Sequence, residues 1–229
     1  MIKVRQNLRQ MVTIATCLAV ASMMFSSCGQ SAKGTKMDLN SEAKQGEGDL
    51  SRQDEGVVIN GVKWATRNVD KPGTFAANPE KAGMFYQWNS NKAFVTNELA
   101  SRDETIPVSD SWTKANDPSP AHWRVPTIEE IKSLLDTKKV TNEWTTHNGV
   151  NGRKFTDKVT GNSLFLPATG LNGNSGIYWS KTANDSYNDN AYALTTTSST
   201  DYADIYSRDL AKWSGYNCDF KFSIRSVAE

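Results

Sequence analysis

The sequence predicts a mainly antiparallel α+β domain over residues 56–229, with one or two helices and long loops, carried behind a secretory leader and a polar tether. Three observations predict it. All 7 Trp and all 7 Tyr lie beyond Gly56. Strand-sized apolar runs in that region are separated by Asn, Gly, Asp and Ser. Only one segment carries a strong helical signature, with no internal repeat and no alternation of strands with long helices.

The first element is the leader, residues 1–27. Lys3, Arg5 and Arg9 precede an apolar run, MVTIATCLAVASMMF, and the small residues Ser26 and Ser27. The run is shorter than the roughly 20 residues a spanning helix needs, and the pattern is that of a signal peptide. Cys28 follows at once, and F-S-S-C resembles a bacterial lipobox. Cleavage before Cys28 and acylation of its thiol are therefore expected, giving a stable lipid anchor. Loss of the leader takes the 26 Lys and Arg of the chain to 23, against 25 Asp and Glu. A nearly neutral mature chain lacks the basic footprint that nucleic acid requires.

Residues 29–55 contain no aromatic, no Val and no Ile. They bury too little apolar surface to offset their ordering entropy, so with Cys28 they read as a disordered tether making no contact with the domain. The domain then opens with a hairpin, Val57–Ile59 and Val62–Trp64 around Asn60-Gly61, a pair that favours the φ > 0 turn matching strand twist. Further strand runs are Met84–Trp88, Leu164–Leu166, Ile177–Ser180, Ala191–Thr196, Asp204–Arg208 and Phe220–Val227. One helix is well marked. Thr127 and Glu130 form a T-x-x-E capping box after Pro126, and Ile128, Ile131, Leu134 and Leu135 share one face. A second helix is expected within Asn91–Ser101.

Six blocks place the domain beside a known family. The segment W-T-K-A-N-D-P-S-P-A-H-W-R-V-P-T-I-E-E-I (residues 112–131) resembles the W…NDPCPxGWRVPT-x-E-E motif of the Fibrobacter succinogenes major paralogous domain. Residues 60–69, Gly83–Trp88, Leu164–Gly170, Tyr178–Ser180 and Phe222–Val227 resemble its other blocks in the expected order. That family resembles in turn the C-type-lectin-like fold and the formylglycine-generating enzymes. The resemblance implies a looped-out region and terminal strands lying side by side, with Val62–Thr66 beside Phe220–Val227. It implies no single function, because sites are placed on folds independently. The family motif also carries Cys where this chain has Ser119 and Ser226. The resemblance thus implies a disulfide deleted as a unit, leaving two serines at bridging distance.

The chemistry-bearing residues argue against an enzyme. Cys17 leaves with the leader, Cys28 is acylated, and Cys218 alone cannot supply the cysteine pair of formylglycine-generating enzymes. His122 and His147 have no metal-ligand spacing, and no nucleophile elbow, P-loop or dinucleotide fingerprint occurs. Asn116-Asp117 and residues 185–190 are oxygen-rich but match no EF-hand spacing, so no cofactor is expected. Trp112, Trp123, Pro126 and Arg124 read as a structural joint, with Arg124 pairing a carboxylate near the helix. The remaining chemistry is a binding surface. Trp179, Tyr187, Asn188, Asp189, Asn190 and Tyr192 place aromatics beside amides and acids, the mixture that stacks on a sugar ring and bonds its hydroxyls; the alternative is that Tyr178 and Trp179 form a core strand. The expected protein is a lipid-anchored binding or adhesion-type module for a glycan or protein ligand, on the outer membrane of a Bacteroidetes-like bacterium. The alternative is an assembly subunit docking on an outer-membrane protein. No acid follows Cys28 in Gly29–Lys33, which leaves the cell surface and the periplasmic face both open.

Overall fold

The computed structural model describes residues 50–97, 105–106, 111–170, 172–184, 190–199, 203–209 and 220–229. The chain divides into two units, 1–38 and 39–229, and every described residue belongs to the second. The described residues are mainly antiparallel sheet with a single short helix, the α+β class read from the sequence.

The first hairpin, β1 (Val57–Ile59) and β2 (Val62–Trp64), turns as expected, with Asn60 at φ 48° and Gly61 at φ 82°. β3 (Phe85–Tyr86) pairs with β4 (Ala93–Phe94), Phe85 opposite Phe94. That pairing replaces the helix expected within residues 91–101. Lys92 and Phe94 instead bring a cation over a ring, with the ammonium 5.8 Å from the centroid, and residues 98–101 lie outside the described ones. β5 (Trp123–Arg124) leads into α1 (Ile128–Leu134). The predicted capping box is present. Thr127 Oγ1 accepts from the Glu130 amide at 3.2 Å, and the Glu130 carboxylate accepts from the Thr127 amide at 2.8 Å. Ile128, Ile131 and Leu134 are its buried face.

One long hairpin was not anticipated. β6 (Val140–His147) and β7 (Val150–Asp157) meet across Asn148-Gly149, both at positive φ, and β8 (Ser163–Pro167) completes that sheet. A second three-stranded sheet is ordered β11-β10-β9, from β9 (Ser175–Asn184), β10 (Asn190–Thr197) and β11 (Asp204–Asp209). Both faces of it are covered. Side chains alternate along a strand, so Tyr178 enters one core with Trp64, Leu166 and Leu194, while Trp179 enters another with Tyr86, Trp88 and Phe222.

The C-terminal segment joins the sheets. β12 (Val227–Ala228) lies between β2 and β5, with Val227 opposite both Trp64 and Arg124. Upstream of it Ser226 accepts from the Ala65 amide at 2.9 Å, Ile224 from Val69 at 3.0 Å and Ser223 from Trp179 at 3.0 Å. The terminal strands are therefore neighbours in one sheet, as the resemblance implies. Arg225 is 1% exposed, held by Asn68 Oδ1 at 2.8 Å and the Ala65 carbonyl at 3.1 Å. Burial pushes its guanidinium down to about 10, against the partial support of Tyr178.

The domain begins before residue 56. The Asp54 carboxylate is fully buried and accepts from the Gly56 amide at 2.8 Å, the Thr66 amide at 3.0 Å and Arg67 Nε at 3.2 Å. The Ser51 carbonyl accepts from the Phe75 amide at 2.6 Å. Residues 50–55 thus belong to the domain. Their composition hid this, because they bind through polar groups and backbone, with no apolar pattern to read.

Candidate functional site

Trp179, the first of the sequence-derived ligand candidates, is a core residue. It is 1% exposed, its Nε1 donates to the Tyr86 carbonyl at 2.8 Å, and its ring lies 4.4 Å from that of Phe222. A ring with both faces covered has nothing to offer a sugar, which corrects that assignment. Tyr192 is half-buried against the first core. Asn190 opens β10, paired through its backbone with Asn184 and Asp209. Tyr187, Asn188, Asp189 and Cys28 lie outside the described residues. Among the described residues no three His, Cys, Asp or Glu side chains cluster to hold a metal.

A groove of about 420 Å³ runs beside β5, over Trp112, Ser119, His122, Trp123, Lys181 and Glu229. Its frame is the joint read from the sequence. Trp123 is 9% exposed and packs edge-on against Phe75 at 5.6 Å. Arg124 grips Glu130 with two nitrogens at 2.8 and 2.6 Å. Asp117 staples the loop, accepting from the Ser119 and Val125 amides at 2.9 Å each. Ser, His and Glu share this groove, and the serine and the glutamate are engaged by other partners. The Ser119 hydroxyl meets that of Ser226 at 2.7 Å, and the Glu229 carboxylate pairs with Lys114 at 3.0 Å. The arrangement is a braced wall, in which the Ser119 hydroxyl is paired with another hydroxyl.

A second cleft, about 490 Å³, lies between Pro79 and the β6–β7–β8 sheet. Its floor is Phe165. Leu164 and Leu166 point into the core at 1% and 0% exposure, so alternation puts Phe165 on the outer face, where it is half-buried. The ring reaches across β7 over Gly152. A Cβ there would come within 2.6 Å of Phe165 Cζ and 2.4 Å of the Leu166 carbonyl oxygen, so only glycine lets the ring lie so low. His147 stands beside it, centroids 5.2 Å apart and planes tilted by 37°. Its Nδ1 pairs with Glu80, which also accepts from Asn148 Nδ2 at 2.7 Å. Burial works to raise the Glu80 carboxyl, but donation from its own amide, Asn148 and His147 outweighs it and holds the group below the usual carboxylate range. With Nδ1 committed to Glu80, Nε2 is the nitrogen left for another partner. Thr66, Thr145, Thr146 and Ser163 add hydroxyls to the walls, and Lys154 sits 3.5 Å from Glu143.

None of these cleft residues was read from the sequence as a ligand residue; His147 was weighed only for metal, and Phe165 only as part of a strand. The signal for Phe165 is a large apolar residue on the outward beat of an alternating strand; the signal for His147 is its place immediately before an Asn-Gly turn. Comparison of the chain with family models, with curated proteins and with solved structures gives no match.

Proposed function

We propose that this chain is a lipid-anchored, extracytoplasmic binding or adhesion-type module, on a C-type-lectin-like frame, that performs no catalysis and takes a glycan or protein ligand. The observation that carries this reading is the cleft over β6–β7–β8. It is open, its aromatic floor is pinned by a glycine, and its walls present hydroxyls and an imidazole nitrogen. Pockets of about 300–1,000 Å³ with an apolar floor and a few directed polar groups are the usual form of a small-ligand site. The lipid anchor and outer-membrane location rest on the leader and Cys28, and the lectin-like frame on the blocks of resemblance together with β12 lying beside β2.

The test is a glycan array and a pull-down from outer-membrane extracts, both with the mature chain. A defined glycan ligand is the expected result. Stoichiometric capture of one membrane protein with no glycan bound would favour an assembly subunit instead. Silence in both, or turnover of a bound glycan, would overturn the proposal.

A further inference from the structure

We infer that the cleft over the β6–β7–β8 sheet takes a neutral pyranose sugar, stacked on Phe165 and hydrogen-bonded by the Thr145 hydroxyl and His147 Nε2. Such a ligand narrows the binding reading above and stands on it.

Three features of the cleft select this chemistry. The first is the floor. Phe165 lies low on the sheet because Gly152 leaves room beneath its ring, and His147 stands exposed beside it. A pyranose has one face rich in C–H bonds, and aromatic rings receive such faces through dispersion and weak C–H contacts. The second is the supply of hydrogen-bonding groups around that floor. Thr146 Oγ1 bonds Asn151 at 2.8 Å, Ser163 Oγ bonds Thr156 Oγ1 at 3.0 Å and Thr66 Oγ1 bonds Asp54 at 2.9 Å, so those hydroxyls are already oriented. Thr145 is half-buried at the edge of the cleft, and among the described residues no hydrogen bond holds its hydroxyl. His147 Nε2, oriented through Nδ1 by a carboxylate that Asn148 fixes, is a positioned acceptor. Polyols need both donors and acceptors at short range, and this set offers both.

The third feature is charge. The lysine at the cleft has a carboxylate beside it, Lys154 next to Glu143 at 3.5 Å, and a second carboxylate, Glu80, faces His147 Nδ1. A phosphate or an acidic peptide would have to compete with those carboxylates, and a cation would meet Lys154. A neutral ring meets neither penalty. The groove beside β5 has paired charges too. Its walls are braced by ion pairs of their own, Lys114 with Glu229 and Arg124 with Glu130.

The test is saturation-transfer NMR on the mature chain in a sugar-free zwitterionic detergent. The probes are the methyl pyranosides of glucose, galactose, mannose and N-acetylglucosamine, with methyl glucuronide as the charged comparison. At least one neutral probe should bind, with the strongest transfer to ring C–H protons on one face. Phe165→Leu keeps apolar volume but removes the flat ring, and Thr145→Val keeps shape but removes the hydroxyl. Each should weaken that binding about tenfold and leave the thermal midpoint near that of the parent. Should Phe165→Leu fail to fold, the near-isosteric Thr145→Val decides alone. Binding that survives both changes would overturn this site and leave the binding reading standing. Binding of the glucuronide alone, or of no pyranoside, would overturn the inference, while the glycan array and pull-down separately decide whether the chain binds anything.

Discussion

The hydroxyls of Ser119 and Ser226 meet at 2.7 Å although 107 residues separate them in the chain. Ser119 lies on the loop before β5 and Ser226 on the residue before β12, so the contact ties the loop of the opening motif to the central C-terminal strand. Cysteines at both positions should form a disulfide under oxidising conditions. The Ser119→Cys/Ser226→Cys double variant should gain about 2–4 kcal/mol from closing so long a loop, and either single variant should gain nothing. Denaturant unfolding with a thiol count checks this; two free thiols in the folded double variant would show that the side chains cannot be bridged.

Asp54 should matter although it precedes β1. Removing residues 50–55, or changing Asp54→Ala, strips buried donors on Gly56, Thr66 and Arg67 of their acceptor. Unpaired buried groups cost about 1–3 kcal/mol, and each kcal/mol is worth roughly 2–4 °C in a chain of this size. Melting curves of chains starting at residue 50 and residue 56 should therefore separate by several degrees. Superimposable curves would restore the tether boundary at residue 55.

Asp157 sets an acid limb. Its carboxylate receives the amides of Thr160 at 3.0 Å, Asn60 at 2.7 Å and Val159 at 2.9 Å, and these hold it down at about 2. An unfolded Asp titrates near 3.9. A lowered folded value means the contribution is complete above the unfolded value and disappears as pH falls through the folded one. Stability measured between about pH 4 and pH 2 should fall more steeply in the parent than in Asp157→Asn, which should already be weaker at neutral pH. Parallel curves would mean the three amides do not discriminate the charged form.

Glu130 serves two partners at once, the Thr127 amide and the Arg124 guanidinium. Glu130→Ala should cost about 1–3 kcal/mol, combining a lost cap with a stranded half-buried Arg. Glu130→Gln should recover part of it, since an amide still accepts from Thr127. Equal losses in the two variants would show that only the charge mattered.

Cys28→Ala should abolish incorporation of labelled fatty acid and release the chain from membranes. Membrane partition equal to that of the parent would remove the anchor assignment.

Local chemistry was the legible part of this chain. Asn60-Gly61 states its turn, and Thr127 with Glu130 states its cap, because each effect is complete within four residues. The β6–β7 hairpin carried the same signal at Asn148-Gly149. Its strands hid it, since V-T-N-E-W-T-T-H has too few apolar residues to alternate visibly on a half-solvated face. Trp179 shows the converse difficulty. An aromatic next to polar residues suggests a ligand surface, and only the covering of β9 on both faces makes it core. The cleft needed registration as well as pattern. Lys154 lies opposite Phe165 and Gly152 opposite Pro167, and that pairing of β7 with β8 brings a ring over a glycine thirteen positions away in sequence.

The Asp54 carboxylate has a mechanical consequence. If the chain is anchored through Cys28 as proposed, tension on it would enter the described part of the domain at residue 50. Its first resistance is the set of bonds that Asp54 shares with Gly56, Thr66 and Arg67, reinforced where the Leu50 carbonyl receives Arg67 at 3.3 Å. Bonds converging on one carboxylate carry force in parallel and give way together, whereas bonds strung along a strand end peel one by one. A single buried acid at the doorway of the fold would thus act as a strain relief, keeping a pull from the N-terminal side from unravelling β1.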